Sequence, residues 1–310
     1  MKKWEKNLQK KIANHYKQTY WQMEKSFSQK CNLLSAKDLE LARKLNEGKI
    51  TQKEYNTWRI KAEKDLHKEV RGLAESLTKA DEYATQETNK VIPHAYAEGM
   101  NKQLYEIERY GVDLKGQFDI VNDDAVARAS RGFFRKIDPA KDTAFNVRRI
   151  RSAITAGILS GQSVKDVAKV LLPVMRYNSK HAEMMARTWI NSAENGGHFD
   201  QAVKIDRSGV RMKKMWLSAG DDRVRDSHRE LDEEERYIEE PFSNGGQYPC
   251  DPSLPPEEYY NCRCTELRFP EGYPPDLSNR IMGTDKDYEE WKKGRHGSEQ
   301  PSQEQTNQRK

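Results

Sequence analysis

The sequence predicts a mainly α-helical protein with long N-terminal helices, a small α+β module in its C-terminal half and a disordered C-terminal tail. Apolar residues recur at steps of three and four through the first half and alternate in two short segments of the second, and they become scarce near the C-terminus. We expect an extended helical arm over residues 1–139, a compact domain over 140–270 and a polar, largely disordered tail over 271–310. Within the domain, 140–200 is expected to be helical and 201–270 to be α+β.

The first helix is predicted from large apolar residues spaced four positions apart, which form one slowly drifting stripe on a helix. These residues are Trp4, Leu8, Ile12, Tyr16 and Tyr20. A second, short helix is expected to begin at Ser35, with Asp38 three residues later, and to end at Gly48.

A long third helix is predicted after Thr51, because Thr51 and Glu54 have the spacing of a capping box. It is expected to run to about Asn89, where the approach of Pro93 interrupts or kinks it. Its apolar stripe comprises Tyr55, Trp58, Ala62, Leu66, Val70, Leu73 and Leu77. No apolar partner of similar size is evident elsewhere in the sequence, which predicts that the arm binds another protein or a second copy of itself.

Three further helices are expected in the second half. The first covers about 144–161, and the second, begun by Ser163 with Asp166, stops at Pro173. The third covers about 179–195 and is expected to end at the glycines that follow it, since glycine commonly terminates helices.

Two strands are predicted from alternating apolar positions. These positions are Val210, Met212 and Trp216 in the first strand, apart from one slip, and Thr265, Leu267 and Phe269 in the second. The two strands can pair across the segment between them.

Composition limits the function classes. Charged residues make up 33% and hydrophobic residues 35% of the 310 positions, so a single large core is not expected. The net charge of +5 permits contact with DNA or an acidic surface without requiring it. Neither a long apolar run nor a secretory signal is evident, so we expect no membrane contact and cysteines that stay reduced.

The loop-rich segment between the two strands concentrates groups that can bind a metal. Cys250, Cys262 and Cys264 fall within fifteen residues, and His228 precedes them. A tetrahedral zinc ion needs four nitrogen or sulfur ligands, which these residues supply. The alternative is that the cysteines are small buried residues and His228 forms a hydrogen bond within the loop. Cys31, far upstream, is expected to be a packing residue.

Acidic and basic residues crowd the start of the same segment: Asp221, Asp222, Arg223, Arg225 and Asp226. One interpretation is an enzyme in which His228 is a general base. We favour a helix beginning near Asp222 and an Asp–Arg lattice that holds loops, because no activated nucleophile or second base stands out. No catalytic residue is therefore predicted. The residues expected to be structural are Trp216, Asp221, Arg223, Arg225, Asn261 and Arg263.

The densest basic region precedes this domain and continues into it. It comprises Arg128, Arg131, Arg135, Lys136, Arg148, Arg149 and Arg151. Contact with nucleic-acid phosphates is one interpretation, and interleaved Phe133 and Phe134 could stack on bases. A solvated helical face is the alternative.

The motifs resemble those of the phage head morphogenesis family, the minor head proteins similar to protein F of phage Mu. The resemblance rests on Trp216, Asp221-x-Arg223-x-Arg225-x-x-His228, Pro249-Cys250-Asp251-Pro252 and the ending Asn261-Cys262-Arg263-Cys264. It covers about 150–269. Three positions depart from the family pattern: Trp189 replaces an acidic residue, Glu233 replaces glycine, and Cys250 replaces a small residue, usually glycine.

The resemblance implies a non-enzymatic minor capsid protein of a tailed phage or prophage, with a head morphogenesis domain at 140–270. The implied partners are the portal protein and other capsid components, with packaged DNA nearby. The implied location is the virion or procapsid interior, after assembly in the host cytoplasm. The alternatives are an enzyme, as an ADP-ribosyltransferase or hydrolase-like toxin module, and a DNA-binding protein, which the mild net charge disfavours.

Overall fold

A computed structural model describes residues 2–159, 169, 171–275, 277 and 285–296. The predicted fold class is confirmed: long helices dominate, and a small sheet lies late in the chain. The helices are α1 (Lys3–Asn46), α2 (Gln52–Glu108), α3 (Asp123–Val126), a 3₁₀ turn (Ala129–Phe133), α4 (Pro139–Leu159), α5 (Leu171–Arg207), α6 (Asp226–Glu230), α7 (Pro256–Tyr259) and α8 (Asp285–His296). The strands are β1 (Met212–Leu217), β2 (Glu235–Tyr237) and β3 (Thr265–Pro270).

The chain divides into two compact units. The first comprises Met1–Lys90 and Arg135–Arg187, and the second comprises Val91–Phe134 and Thr188–Lys310. The unit boundaries fall inside α2 and α5, whereas the sequence predicted boundaries at 139 and 270. The compact units do not test the predicted domain boundaries, which stay a prediction. The predicted helix start at Ser163 lies outside the described residues.

In the first unit, α1 and the first part of α2 form an antiparallel pair. Side-chain contacts join later residues of α1 to earlier residues of α2: Lys11 with Glu87, Tyr16 with Asp81, Ser26 with Glu69, and Asp38 with Tyr55. The predicted stripe of α1 is buried at Leu8, Ile12 and Tyr16. The prediction of a separate helix beginning at Ser35 is wrong, because α1 continues through this position. The predicted helix end beside Gly48, where φ is +69°, is confirmed.

The apolar stripe of α2 finds its partners within the chain. Val70, Leu73 and Leu77 are each at most 3% exposed. The prediction that this stripe lacks an internal partner is wrong for these residues, since packing within the first unit covers them. Trp58 and Leu66 remain half-buried.

Pro93 does not interrupt α2, which runs from Gln52 to Glu108. The prediction of a break there is wrong. Proline removes one backbone hydrogen bond, but Ile92 and Ala95 on either side of it are fully buried. Burial of these neighbours offsets the lost bond.

In the second unit, the last part of α2 packs closely on the last part of α5. A Cβ added at Gly197 would lie 2.1 Å from the carbonyl oxygen of Tyr96, and one added at Gly99 would lie 2.1 Å from that of Glu194. A Cβ at Gly196 would lie 2.3 Å from the ring of Phe133. The prediction that the glycine pair ends the helix is therefore wrong: α5 continues to Arg207, and the glycines allow close approach.

The predicted pairing of the two strands is confirmed. The sheet has the order β2-β1-β3, and both pairs are antiparallel. The β1–β3 register runs from Met212 opposite Pro270 to Leu217 opposite Thr265. Trp216 is fully buried in this sheet. The central strand thus positions the loops that leave both of its neighbours.

Part of the predicted disordered tail is a helix. In α8, Tyr288 is 4% exposed and donates a hydrogen bond of 3.1 Å to Glu98. Trp291 donates a 2.6 Å hydrogen bond to Glu108, which also contacts Arg295. Over these residues the structure departs from the predicted disorder, because the two aromatic side chains share one face of the helix with Arg295 and pack on α2.

None of the helices that the structure describes combines the length and apolar character that a membrane crossing requires.

Candidate metal centre

The candidate site lies in the second unit, where α6 faces the chain segment that leads into β3. His228 belongs to α6, and Cys262 and Cys264 come just before β3. The pairing of Thr265 with Leu217 fixes the end of this segment against the sheet. The fold therefore brings together groups that are 34 and 36 residues apart in sequence.

The His228 ring contacts both thiols through the same nitrogen. Its Nδ1 atom lies 3.4 Å from Cys264 Sγ and 3.6 Å from Cys262 Sγ. The nitrogen and the two sulfur atoms all lie within 4.8 Å of one another. One ion could contact all three atoms at once.

The cluster is buried among apolar side chains. His228 is 1% exposed, Cys262 3% and Cys264 7%. The indole of Trp216 packs edge-on against the His228 ring, with 5.3 Å between centroids, and Phe242 packs on the other part of that indole. These contacts shield the imidazole from bulk water, whereas Cys264 also borders a polar cavity.

Glu258 holds the far side of the imidazole. His228 Nε2 lies 2.7 Å from Glu258 Oε2, which is an ion-pair distance, although the pair is not aligned as a hydrogen bond. The hydroxyl of Ser227 donates to both oxygens of Glu258, at 2.9 and 3.1 Å. This carboxylate keeps Nδ1 directed toward the thiols. The sequence alone does not reveal the role of Glu258, since no local pattern links it to His228.

Cys250 lies beside the cluster but is not one of the three converging ligands. Its thiol donates to the carbonyl oxygen of Cys262 at 3.4 Å, and it also lies against the Cys262 thiol. The structure therefore brings together three of the four predicted metal ligands and places the fourth next to them.

The pKa values of both cysteine thiols near His228 are raised above the usual value. The hydrogen bond with the Cys250 thiol, followed by burial, raises the pKa of Cys262 to about 12. The hydrogen bond with Cys262 and burial also raise the pKa of Cys264. A nucleophilic cysteine needs a lowered pKa, so these thiols are unsuited to that role.

An Asp–Arg lattice holds the surrounding loops, as the sequence suggested. Asp221 accepts two hydrogen bonds from Arg263, at 2.5 and 2.6 Å, and one from the backbone N–H of Arg223, at 3.0 Å. Arg263 keeps the pKa of Asp221 well below its usual range. Arg225 donates to the carbonyl oxygen of Tyr260. These side chains fasten one loop to another, and the Asp221 carboxylate is fully engaged by its arginine and backbone partners.

The helix expected near Asp222 begins later, at Asp226, and Asp222 lies in a turn. The predicted start is wrong because Asp221 bonds Arg263 and the backbone of Arg223 instead of capping a helix. His228 is poorly placed as a general base. Both of its ring nitrogens face protein groups, and it is almost fully buried.

At two of the positions that depart from the family pattern, the backbone conformation explains why glycine is the usual residue. Glu233 and Cys250 have φ values of 65° and 64°, in the left-handed region where glycine is unstrained. Asn261 has a φ of 59°, which asparagine tolerates better than most residues. Trp189 packs edge-on against Tyr259, so it contributes to the apolar wall of the site.

A polar cavity of about 290 Å³, which the sequence did not reveal, lies next to the cluster. Its charged lining includes Lys102, Glu106, Glu194, Glu266 and Arg268, and Cys264 also borders it. Glu266 contacts Arg268 directly, and both side chains are buried. These residues come from α2, α5 and β3, which explains why no sequence motif marks them.

Glu106 should make stability depend on pH. Burial raises its pKa from 4.5 to about 7, so the folded protein binds this proton more tightly than the unfolded chain does. The resulting stability is fully present below pH 4.5 and is lost as the pH rises to about 7. Glu106→Gln should reduce the difference in unfolding free energy between pH 5 and pH 8 by about 2 kcal/mol.

Urea unfolding at the two pH values measures this effect. Glu75→Gln, on the exposed face of α2, is the matched control. Glu106→Gln changes neither member of the neighbouring Glu266–Arg268 pair. The same pH dependence in the wild type and in Glu106→Gln would contradict the assignment.

The predicted basic region is distributed between the two units. Arg128 and Arg131 belong to the second unit, and the other five residues belong to the first. Arg149 is engaged within the first unit, where it donates to Asn178 and stacks on Tyr177 at 3.9 Å. The exposed members are Arg128, Arg131, Lys136, Arg148 and Arg151.

Comparison with known proteins connects this geometry to a family. Residues 148–267 match the family described as Phage Mu protein F like protein. This range includes the part of α4 from residue 148 onward, all of α5, the whole Asp–Arg lattice, and all the residues of the His–Cys cluster. No solved structure gives a significant match.

Two curated proteins are similar to the chain. The minor head protein GP7 of Bacillus phage SPP1 is 24% identical over 249 residues, which cover 75% of this chain and 80% of that protein. The NAD(+)–arginine ADP-ribosyltransferase EFV of Enterococcus faecalis (strain ATCC 700802 / V583) is 27% identical over 150 residues, which cover 46% of this chain. The chain spans only 31% of the length of that second protein.

Proposed function

We propose that this chain belongs to the phage Mu F-like family of minor head proteins. On this premise, it is a non-enzymatic component of a phage head. The observation that carries the proposal is the similarity to a minor head protein across three quarters of the chain. A head protein of this kind belongs in the virion or procapsid, and we infer that it assembles there from the host cytoplasm.

The enzyme alternative has less support. Similarity to the ADP-ribosyltransferase covers less than a third of that protein, so its activity does not extend to this chain on that basis. The geometry also disfavours catalysis at the cluster. The thiols have raised pKa values, and His228 is buried between the thiols and Glu258.

We infer that the partner in the head is the portal protein together with other capsid components. The support for this partner comes from the family resemblance. Individual exposed apolar side chains of α1 are candidates for such a contact: Trp21 is 59% exposed, Leu33 70% and Leu39 71%.

Co-expression of the full chain with a portal protein from the same phage or prophage tests this partner. Both proteins should elute together in size-exclusion chromatography, and Leu33→Asp with Leu39→Asp should weaken the association. Ile12→Val, a conservative change in the buried stripe, is the control. Separate elution of the wild-type chain and the portal at micromolar concentrations would contradict the partner assignment.

Packaged DNA is a second inferred contact, through exposed basic residues of the first unit. Lys136, Arg148 and Arg151 are exposed there. The salt dependence of DNA binding is the slope of log K against log salt concentration. Each lost phosphate contact should reduce the magnitude of this slope by about 0.9. Arg148→Glu with Arg151→Glu should therefore reduce this slope more than the same charge change at exposed Lys17 and Lys25 of α1. Equal slopes for the two variants would exclude this surface.

A further inference from the structure

We propose that His228, Cys262 and Cys264 bind a structural zinc ion, with Cys250 as the fourth ligand. This inference is independent of the role in the head. It rests on the geometry of the cluster, on the chemistry of its atoms and on their exclusion from water.

The geometry fits a tetrahedral ion. Zinc binds sulfur at about 2.3 Å and nitrogen at about 2.0–2.1 Å, so a tetrahedral site separates its nitrogen and sulfur ligand atoms by roughly 3.5 Å. In the structure, Nδ1 of His228 lies 3.4 and 3.6 Å from the two sulfur atoms. Both nitrogen–sulfur distances therefore already match those that one ion would impose, and all three atoms lie within 4.8 Å of one another.

The chemistry of the surroundings also favours an ion. A thiol is a poor hydrogen-bond partner, yet two thiols and an imidazole converge on one point inside an apolar cluster. Histidine ligands of zinc commonly have a carboxylate on their other ring nitrogen, which fixes the ring orientation. Glu258 occupies that position at His228 Nε2.

The burial of His228, Cys262 and Cys264 favours a fourth ligand from the protein over a water molecule. Zinc sites with a water ligand are open, whereas structural sites are closed by four protein ligands. The nearest remaining donor is Cys250, which is 1% exposed and lies against the Cys262 thiol. Its φ of 64° is strained for a residue with a side chain. Rotation of this side chain away from the Cys262 carbonyl oxygen would complete the site.

Such an ion would join separate parts of the second unit. It would tie α6 to the segment that leads into β3 and to the turn that carries Cys250. Because binding energy at a structural site is also folding energy, the loops between β1 and β3 should depend on the ion for their order.

Metal analysis of the full-length chain, purified without a histidine tag or chelator, tests the proposal. Elemental analysis should find about one zinc per chain. Cys262→Ser and Cys264→Ser should each lose the zinc, whereas Cys31→Ser, which changes a cysteine in α1, should keep it. Folded wild-type protein with less than about one zinc per ten chains, indifferent to chelator, would overturn the proposal.

Cobalt substitution keeps the test decisive if the serine variants fail to fold. Wild-type protein loaded with Co²⁺ should show intense visible bands of a tetrahedral site and thiolate-to-cobalt charge transfer in the near ultraviolet. Cys250→Ser should lower the charge-transfer absorption by about one third, because one of three thiolates is lost. An octahedral cobalt spectrum would overturn the site, and an unchanged spectrum in Cys250→Ser would overturn the role of Cys250.

Glu258→Gln separates a metal site from simple packing. If Glu258 orients His228 toward an ion, this variant should bind zinc about 10- to 100-fold more weakly while the fold is retained with saturating zinc. Glu257→Gln, at the exposed neighbouring position, is the control. Equal zinc affinity in the two variants would contradict the proposed role of Glu258 in orienting His228.

Discussion

Gly197→Ala is expected to lower the free energy of unfolding by roughly 3 kcal/mol or more, because the added methyl group cannot be accommodated without moving two helices apart. The new Cβ would lie 2.1 Å from the backbone oxygen of Tyr96, and backbone cannot rotate away as a side chain can. Gly99→Ala should have a similar effect, since its Cβ would meet the backbone oxygen of Glu194. The two changes together should cost less than their sum, because both separate the same pair of helices.

The matched control is Gly72→Ala, also inside a helix. A Cβ there meets no atom within 4 Å, so this variant should gain about 0.5–1 kcal/mol through better helix propensity. Chemical denaturation followed by circular dichroism measures the three single variants and the double variant. A loss at Gly197 no larger than the usual scatter of surface substitutions would contradict the close helix contact.

Trp216→Ala is expected to destabilise the second unit by about 3–5 kcal/mol, because it leaves a large cavity in the apolar cluster around the candidate metal centre. The indole is fully buried and contacts both His228 and Phe242. The expected result is therefore a loss of stability together with weaker metal retention.

Trp21→Ala provides the comparison, since this tryptophan of α1 is 59% exposed. Its removal should change the unfolding free energy by less than about 0.5 kcal/mol. Thermal unfolding of the two variants, with zinc content measured on the same samples, gives the result. Similar melting temperatures for both variants would show that Trp216 does not support the cluster.

The spacing of apolar residues in the sequence correctly predicted those helix faces and strands whose burial follows from that spacing. The stripe through Leu8, Ile12 and Tyr16 identified one face of α1, and alternation around Met212 and Leu267 identified two paired strands. The errors came from residues whose effect depends on distant partners. A glycine pair in a helical sequence is equally consistent with a helix end and with close packing, and only the position of α2 decides between them.

The same distinction applies to the candidate site. The residue types of His228, Cys262 and Cys264 suggest a candidate ligand set from the sequence alone, and the structure brings these three side chains together. Glu258 escaped notice because an acidic residue in a loop resembles any other surface acid until the fold places it against His228. The polar cavity escaped notice for the same reason, since Glu106 and Arg268 are distant in sequence.

If this chain is a minor component of a phage head, quantitative mass spectrometry of purified particles should detect it. Heads should be isolated from the strain that carries the gene, after induction or infection. We expect the chain in intact heads in far fewer copies than the major capsid protein, and we expect heads made without it to lose infectivity or DNA. Its absence from intact heads, with unchanged infectivity when the gene is deleted, would contradict a role in the head.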